Sequence, residues 1–270
     1  MMKMDSKRIA SGFIVALAVV VMLLVPNKYI IGILLGLIAL VSMDEYLKAI
    51  SKVCKPIKWV GYCSCALIAI INFVPHQYLA QVFIYSVPIF LLVLFAQVIA
   101  TDMKTTFKDM AYTFLGICYV SIFTTFLALV NGMENGKLLI GYILIASWGT
   151  DIFAYCVGSK IGKHKFSKVS PKKSIEGCIA GTVGSVVLML IYTWILNTYF
   201  SFNYSYIFIG ITGIVLSLIG QIGDFAASTI KRYVDIKDYS NLLPGHGGML
   251  DRIDSVIFIA PFAYMLFTII

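Results

Sequence analysis

Long apolar runs separated by short polar stretches occupy the chain from end to end. A membrane-spanning helix needs about 20 mostly apolar residues, and the period-two alternation typical of a β-barrel is absent from this sequence. The pattern predicts nine spans: Ile9–Val25, Tyr29–Met43, Ile57–Val74, Leu79–Ala100, Met110–Val130, Leu138–Val157, Gly177–Leu196, Tyr204–Ala226 and Ser255–Ile270. Eight or ten helices are alternatives, because the second span is short. The predicted fold class is an all-α polytopic membrane protein.

Composition agrees with this interpretation, since 60% of the residues are hydrophobic and only 13% are charged. That balance excludes a soluble globular domain. With the N-terminus in the cytoplasm, 19 of the 21 Lys and Arg residues fall on the cytoplasmic side, and only Lys28 and Lys137 fall outside. The positive-inside rule therefore favours a cytoplasmic N-terminus, and we expect the first apolar run to be retained rather than cleaved. Anionic lipid headgroups account for the net charge of +8 without a nucleic-acid partner.

Polar chemistry is distributed unevenly along what we interpret as a single integral membrane domain. Residues 1–146 read as transmembrane helices with few ionisable groups and no motif, a scaffold for lipid access or oligomerisation. Residues 147–270 carry the remaining helices and the cytoplasmic loops with nearly all of the polar side chains. We therefore expect the active site in this second part, at the cytoplasmic face.

The first polar motif places Asp151 inside the sixth span, with Tyr155 one turn later on the same helix face. An acid within the bilayer costs roughly 3 kcal/mol and indicates a function by default. Gly158 and Gly162 follow and would permit close approach of another helix or of a substrate. The alternative is an aspartate that is hydrogen-bonded into helix packing.

The second motif is Ser170-Pro171-Lys172-Lys173-Ser174, with Glu176 two residues later. Proline cannot continue a helix from upstream, whereas Ser174 with Glu176 is typical of a helix start. Lysines and hydroxyls beside a helix N-terminus attract anions. An ordinary positive-inside anchor would explain the lysines equally well.

The third motif lies at the cytoplasmic end of the eighth span, where Asp224, Ser228 and Lys231 recur at helical spacing and Arg232 follows. This spacing predicts one polar stripe on a helix. An amphipathic helix lying on the membrane surface would give the same stripe.

The fourth motif contains Lys237-Asp238 and then Pro-Gly-His-Gly-Gly at residues 244–248, followed by Asp251-Arg252 and Asp254. Between Ser228 and Asp254, eight of 27 residues are charged. Glycines around His246 allow a backbone nest in which several N–H groups face one anion. Asp251 and Asp254, three residues apart on a helix, can face one cation, and carboxylate oxygens suit Mg²⁺.

Together these residues resemble the CDP-diacylglycerol synthases, also called phosphatidate cytidylyltransferases. The family signature is filled without a gap by Ser228, Lys231, Arg232, Lys237, Asp238, Pro244, Gly245, His246, Gly247, Gly248, Asp251, Arg252 and Asp254. The elements around Asp151, Lys173 and Asp224 are also similar to the family's. Ser174 departs from it, since a threonine is expected there. The resemblance covers residues 150–255.

The resemblance implies that CTP and phosphatidic acid give CDP-diacylglycerol and pyrophosphate, with Mg²⁺ as cofactor and a second cation, Mg²⁺ or K⁺, left open. Asp224 and Asp251 would bind the metal, with Asp254 as a third ligand or an outer partner. His246 would donate to the triphosphate or form a structural turn, and Asp238 would orient Lys237 or Arg232. The catalytic set is then Asp224, Asp251, Lys231, Arg232, His246 and Arg252. The substrate-binding set is Asp151, Tyr155, Ser170, Lys172, Lys173, Ser228, Lys237, Asp238, Gly245, Gly247 and Gly248.

The implied partners are CTP, phosphatidic acid, membrane lipids and a second copy of the chain, in a bacterial cytoplasmic membrane. Other functions remain as alternatives. A transporter would place polar residues at the bilayer midplane rather than on one face. Another CTP-dependent lipid enzyme, such as a polyprenol or dolichol kinase or a CDP-archaeol synthase, would differ in its lipid acceptor. A non-catalytic scaffold has no use for clustered acids.

Overall fold

The computed structural model describes residues 27–75, 78–167, 169–171, 173–243, 245 and 247–269. The predicted span Ile9–Val25 lies outside the described residues, as do Lys172 and His246 of the predicted site. Within the described part the chain is helical, and the only β-type pairings there are two isolated bridges, Lys165 with Ser174 and Leu243 with Gly247.

Eight helices make up the described part of the chain. In order they are α1 (Lys28–Ile50), α2 (Lys58–Ile71), α3 (Leu79–Ala100), α4 (Phe107–Gly132), α5 (Gly136–Ile161), α6 (Ile175–Tyr199), α7 (Tyr206–Tyr233) and α8 (Leu250–Phe267). Two of them contain a stretch of wider π-helix, α4 at Ile117–Ile122 and α5 at Ile145–Gly149. Of the described helices, α1, α3, α4, α5, α6 and α7 are long and apolar enough to cross a membrane.

Each of the eight predicted spans that fall on described residues coincides with a helix, which confirms the all-helical prediction. The boundaries differ most at the polar ends. Helix α7 continues to Tyr233, beyond the predicted end at Ala226, and α8 begins at Leu250, before the predicted start at Ser255. Lys231 and Asp251 therefore lie on helices, as the spacing of their motifs predicts. The count of nine spans and the orientation in the membrane stay predictions.

The chain divides into two compact units, and the first comprises the described residues up to Gly132 together with Tyr233–Ile253. Here α1 packs against α2 and α4. The N-terminus of α4 carries a capping box in which Thr106 and Asp109 satisfy each other's backbone N–H. Asp109 also accepts from Lys55 N at 2.5 Å, so the α1–α2 loop is attached to α4.

The second unit comprises Met133–Arg232 and the described residues from Asp254 onward. Within it α5 packs along α6, where a Cβ on Gly158 would lie only 3.1 Å from Gly177 Cα. The predicted close approach at Gly158 is therefore confirmed, and its partner is helix α6. Thr150 Oγ1 lies 2.7 Å from Ser217 Oγ, which connects α5 to α7.

Candidate active site

Helix α6 begins where the sequence predicts it, because Ser174 caps it by accepting from Gly177 N at 3.2 Å. The preceding loop is folded back onto this helix start. His164 Nδ1 lies 2.6 Å from Glu176 Oε1, and Ile175 N donates to His164 O at 2.9 Å. Lys173, just before the cap, is thereby held in a fixed place at the end of the loop.

Lys173 forms the centre of an ionic cluster with two aspartates. Its Nζ lies 2.9 Å from Asp224 Oδ2 and 3.4 Å from Asp151 Oδ1, while its side chain is only 21% exposed. Burial alone would lower the pKa of the Lys173 ammonium, but the two carboxylates outweigh burial and raise it above the ordinary lysine value. The cluster therefore contains a permanent positive charge. We call these three residues the Lys173 cluster.

A cavity of about 290 Å³ opens beside the Lys173 cluster. The structure brings together residues that the sequence predicts from three separate motifs. Those that line the cavity are Asp151, Tyr155, Ser170, Lys173 and Asp224. The walls between them come from α5 and α6, where Gly158 and Gly177 leave room. A phosphate or a hydrated cation can enter a cavity of this size and polarity.

The π-helical stretch of α5 ends directly before Asp151 and helps to set its position. A π-turn adds one residue to the helix and leaves carbonyl groups without their usual partners. Ser185 Oγ donates to Ile145 O at 3.2 Å, and Thr150 Oγ1 donates to Ala146 O at 2.6 Å. These bonds stabilise the widened turn from which Asp151 extends.

The remaining predicted residues of the second unit surround the end of α7. Ser228 and Lys231 are partly buried, and Arg232 is exposed, with its Nε donating to Val169 O at 3.4 Å. Asp254 is buried and interacts electrostatically with Asp224 and Lys231. The helical stripe predicted for α7 is thus present, and its charges act on acids of the same unit.

In the first unit, Asp251 stabilises the glycine-rich loop that precedes α8. Its Oδ2 accepts from Tyr239 N at 2.8 Å and from Gly248 N at 2.9 Å. Gly245 and Gly247 both have left-handed backbone, with φ of 78° and 83°, which fits the predicted nest. One of the predicted N–H donors, that of Gly248, is nevertheless directed at the protein's own carboxylate.

Glu45 is the site residue that the sequence analysis missed. It lies on α1, in the half of the chain without a motif, and it is 4% exposed. Its carboxylate accepts from Ser240 Oγ at 2.5 Å, Met249 N at 2.9 Å and Leu250 N at 2.8 Å. Glu45 therefore caps α8 and holds the glycine-rich loop. An acid within an apolar helix was the signal that pointed to it.

Of the other predicted residues in the first unit, two are exposed and one is partly buried. Lys237 and Asp238 are exposed, and a Cβ on Gly247 would lie 3.4 Å from Asp238 Oδ1. Arg252 Nε is buried, and among the described residues it has no hydrogen-bond partner. A guanidinium in this state can still donate to an oxygen of a ligand.

The donor chemistry of the second unit suits Mg²⁺. Mg²⁺ prefers oxygen ligands and is usually held by one or two carboxylates together with waters and substrate phosphates. Asp151 and Asp224 offer two negative charges against the single charge of Lys173. Among the residues that the structure describes, no group of three or more His, Cys, Asp or Glu side chains could hold a metal ion alone. Substrate oxygens would therefore have to complete the coordination.

Comparison with known proteins adds an independent finding. The profile of the cytidylyltransferase family matches residues 6–270. A phosphatidate cytidylyltransferase of Staphylococcus aureus is 31% identical over 251 residues, which cover 92% of this chain and 94% of that protein. One from Staphylococcus haemolyticus is 30% identical over 252 residues with the same coverage. One from Bacillus subtilis is 37% identical over 163 residues, 60% of this chain and 59% of its own length.

Proposed function

Because this chain belongs to the cytidylyltransferase family, we propose that it transfers the cytidylyl group of CTP to phosphatidic acid, giving CDP-diacylglycerol and pyrophosphate. The observation that carries the proposal is the Lys173 cluster, a buried cation between two carboxylates beside a cavity of about 290 Å³. Relatives of matching length bear the name phosphatidate cytidylyltransferase.

The reaction joins two anions. An oxygen of the phosphatidate phosphate attacks the α-phosphorus of CTP and forms a new P–O bond. The bond from the α-phosphorus to the oxygen that bridges to the β-phosphate breaks, and its electron pair leaves with pyrophosphate. The barrier falls when positive charge neutralises the phosphates and when the attacking and leaving oxygens are held in line. No covalent bond to the protein is required.

Lys173 is placed to supply the positive charge, because two aspartates hold its ammonium in place and outweigh the effect of burial on its pKa. Arg252 Nε would donate to a phosphate oxygen. The other phosphate ligands are assigned from the family signature alone: Lys172, Lys231, Arg232 and His246. The signature also assigns Gly245 and Gly247, whose backbone N–H groups can bind an anion.

From the family signature alone, Mg²⁺ is assigned to Asp224, with Asp251 and Asp254 as further ligands or outer partners. When bound, it would withdraw electron density from the phosphate oxygens and neutralise the charge of the leaving pyrophosphate. Asp251 Oδ2 also accepts two backbone N–H groups. Its replacement would therefore disturb the loop as well as the metal.

The test is an assay of the full-length protein in detergent with CTP and phosphatidate, with Mg²⁺ or with EDTA. We expect CDP-diacylglycerol and pyrophosphate in equal amounts, only with the metal. Asp224→Asn should lower kcat/KM by about 10²–10³-fold. The matched control is Asp102→Asn, at an exposed turn whose left-handed backbone asparagine tolerates as well.

Folded protein that forms no product from any phosphatidate would contradict the proposal. Product from a polyprenol acceptor alone would make the protein a lipid kinase. From the family resemblance, we also propose that the protein is a homodimer and that it lies in a bacterial cytoplasmic membrane. Light scattering of the detergent-solubilised protein and membrane fractionation test them.

A further inference from the structure

A second and larger cavity of about 680 Å³ lies between α6 and α7 of the same unit. Its walls are mostly apolar. They include the side chains of Ile179, Val183, Ile214, Leu218 and Phe225. We call it the α6–α7 pocket. Its volume falls within the range of about 300–1,000 Å³ that is typical of ligand sites.

The polar side chains on α6 and α7 in the wall of this pocket have hydrogen-bond partners within the protein. Gln221 Nε2 donates to Thr182 Oγ1 at 2.9 Å and to Cys178 O at 3.3 Å. Ser217 Oγ donates to the same Thr182 Oγ1 at 3.1 Å. Because these groups are paired within the wall, the pocket offers an apolar surface to whatever fills it.

The pocket is long enough to follow one leaflet of a bilayer. Its lining on α7 runs from Ile214 to Thr229, which at 1.5 Å per residue is roughly 22 Å. Half of the hydrocarbon core of a membrane measures about 15 Å. An acyl chain of a membrane lipid has this reach.

The end of the pocket near the start of α6 adjoins the Lys173 cluster. Phe225 lines the pocket, and Lys173 Nζ lies 5.3 Å from the centroid of its ring. Phe166 stacks on Phe225 with 4.6 Å between centroids, and Cys178 lines both cavities. The Lys173 ammonium and an apolar pocket thus share one wall, an arrangement that matches a molecule with an anionic head and an apolar tail.

We propose that the α6–α7 pocket holds one acyl chain of the phosphatidate substrate while the lipid phosphate binds at the Lys173 cluster. The inference rests on the proposed function and adds to it a place for the tail. The pocket then positions the phosphate, because a tail seated along α7 limits where the head can lie. It also makes chain length a determinant of specificity, with Val183 and Ile214 facing the distal carbons.

Photolabelling of the unmodified full-length protein tests the pocket directly. The probe is phosphatidate with a diazirine near the end of one acyl chain, and the control is phosphatidylcholine with the same diazirine. We expect the phosphatidate probe to label peptides that contain Val183 and Ile214, with dipalmitoyl phosphatidate as competitor. Equal labelling by both lipids, or label spread over the other apolar helices, would overturn the proposal.

Steady-state kinetics of two tryptophan variants provide a second test of the pocket. Val183→Trp should fill the distal end and raise KM for dipalmitoyl phosphatidate by about tenfold or more. The KM for dihexanoyl phosphatidate, whose tails end short of Val183, should change by less than about twofold. The control is Ile207→Trp on α7, at a residue that is 78% exposed and does not line the pocket.

An equal change in both KM values, or none in either, contradicts the pocket assignment. A failure of the pocket assignment can be distinguished from a failure of the proposed function. If wild-type protein makes no CDP-diacylglycerol from either lipid, the function is wrong, whereas normal turnover with uniform photolabelling removes only the pocket.

Discussion

Lys173 and Asp224 form an ion pair, with 2.9 Å between Nζ and Oδ2, and Asp151 lies 3.4 Å from the same ammonium. The pair connects the start of α6 to α7. It turns three motifs that are separate in sequence into one charged cavity wall. An ammonium held between two acids is positioned before any substrate arrives, so little reorganisation is needed when a phosphate binds.

Replacing Lys173 should therefore affect catalysis more than any exposed lysine does. We expect Lys173→Met to lower kcat/KM for CDP-diacylglycerol formation by about 10²–10³-fold, because a preorganised charge is lost. Lys173→Arg should retain part of the activity. Steady-state assays in detergent measure this. Lys163→Met, exposed in the same loop, is the control and should stay close to wild type. Similar losses in the two methionine variants would contradict this role for Lys173.

Glu45 should be essential for the stability of the glycine-rich loop. Glu45→Ala leaves the N–H groups of Met249 and Leu250 without their acceptor, and each buried donor so left costs about 1–3 kcal/mol. We expect a lower midpoint of thermal unfolding and lower activity, with Glu45→Gln intermediate. The neighbouring Asp44→Asn is the control, since Asp44 pairs with Lys48 at the helix surface. Equal thermal midpoints for the Ala and Asn variants would show that the cap is dispensable.

Gly247 should not tolerate a side chain. Its φ of 83° is strained for any residue with a Cβ, and that Cβ would lie 3.0 Å from Asp251 Oδ2. We expect Gly247→Ala to destabilise the protein by about 1–2 kcal/mol and to reduce turnover. Thermal unfolding and the transferase assay measure both effects. Gly210→Ala, with nothing within 4 Å of the new Cβ, should be neutral or stabilising. A neutral Gly247→Ala would mean that the loop readily adopts another backbone.

The close packing of α5 on α6 should depend on Gly158. A Cβ there would lie 3.0 Å from Ser174 Oγ and 3.1 Å from Gly177 Cα. Gly158→Ala should separate the helices slightly at a cost of about 1–3 kcal/mol and displace the Ser174 cap. We expect a lower unfolding temperature together with a higher KM for CTP. Unchanged values for both would show that the two helices can separate without loss.

The sequence predicts much of this arrangement because local rules apply to its parts. Ser174 with Glu176 is a recognisable helix start, and the i, i+4, i+7 spacing of Asp224, Ser228 and Lys231 places them on one helical stripe. Apolar run length gives the positions of the helices within a few residues. The ends of the helices are harder to predict. The last turns of α7 carry charged residues, and a hydropathy criterion assigns such residues to loops.

The remaining features depend on contacts between distant parts of the chain. Nothing in the pattern around Lys173 says that its partners are Asp151 and Asp224, since that contact arises from the packing of α5, α6 and α7. Glu45 was missed for the same reason, because the groups that donate hydrogen bonds to it lie up to 205 positions away along the chain. The glycine pattern predicted a nest, but it did not show that Asp251 would accept one of its N–H groups.

The distance along the chain between Glu45 and its partners has a consequence for biosynthesis. Translation delivers α1 long before α8, so the Glu45 carboxylate is made before any of its three donors. A carboxylate is costly to bury without partners, so the end of α1 around Glu45 is expected to stay solvated until Leu250 emerges. Docking of the glycine-rich loop is then a late step of assembly.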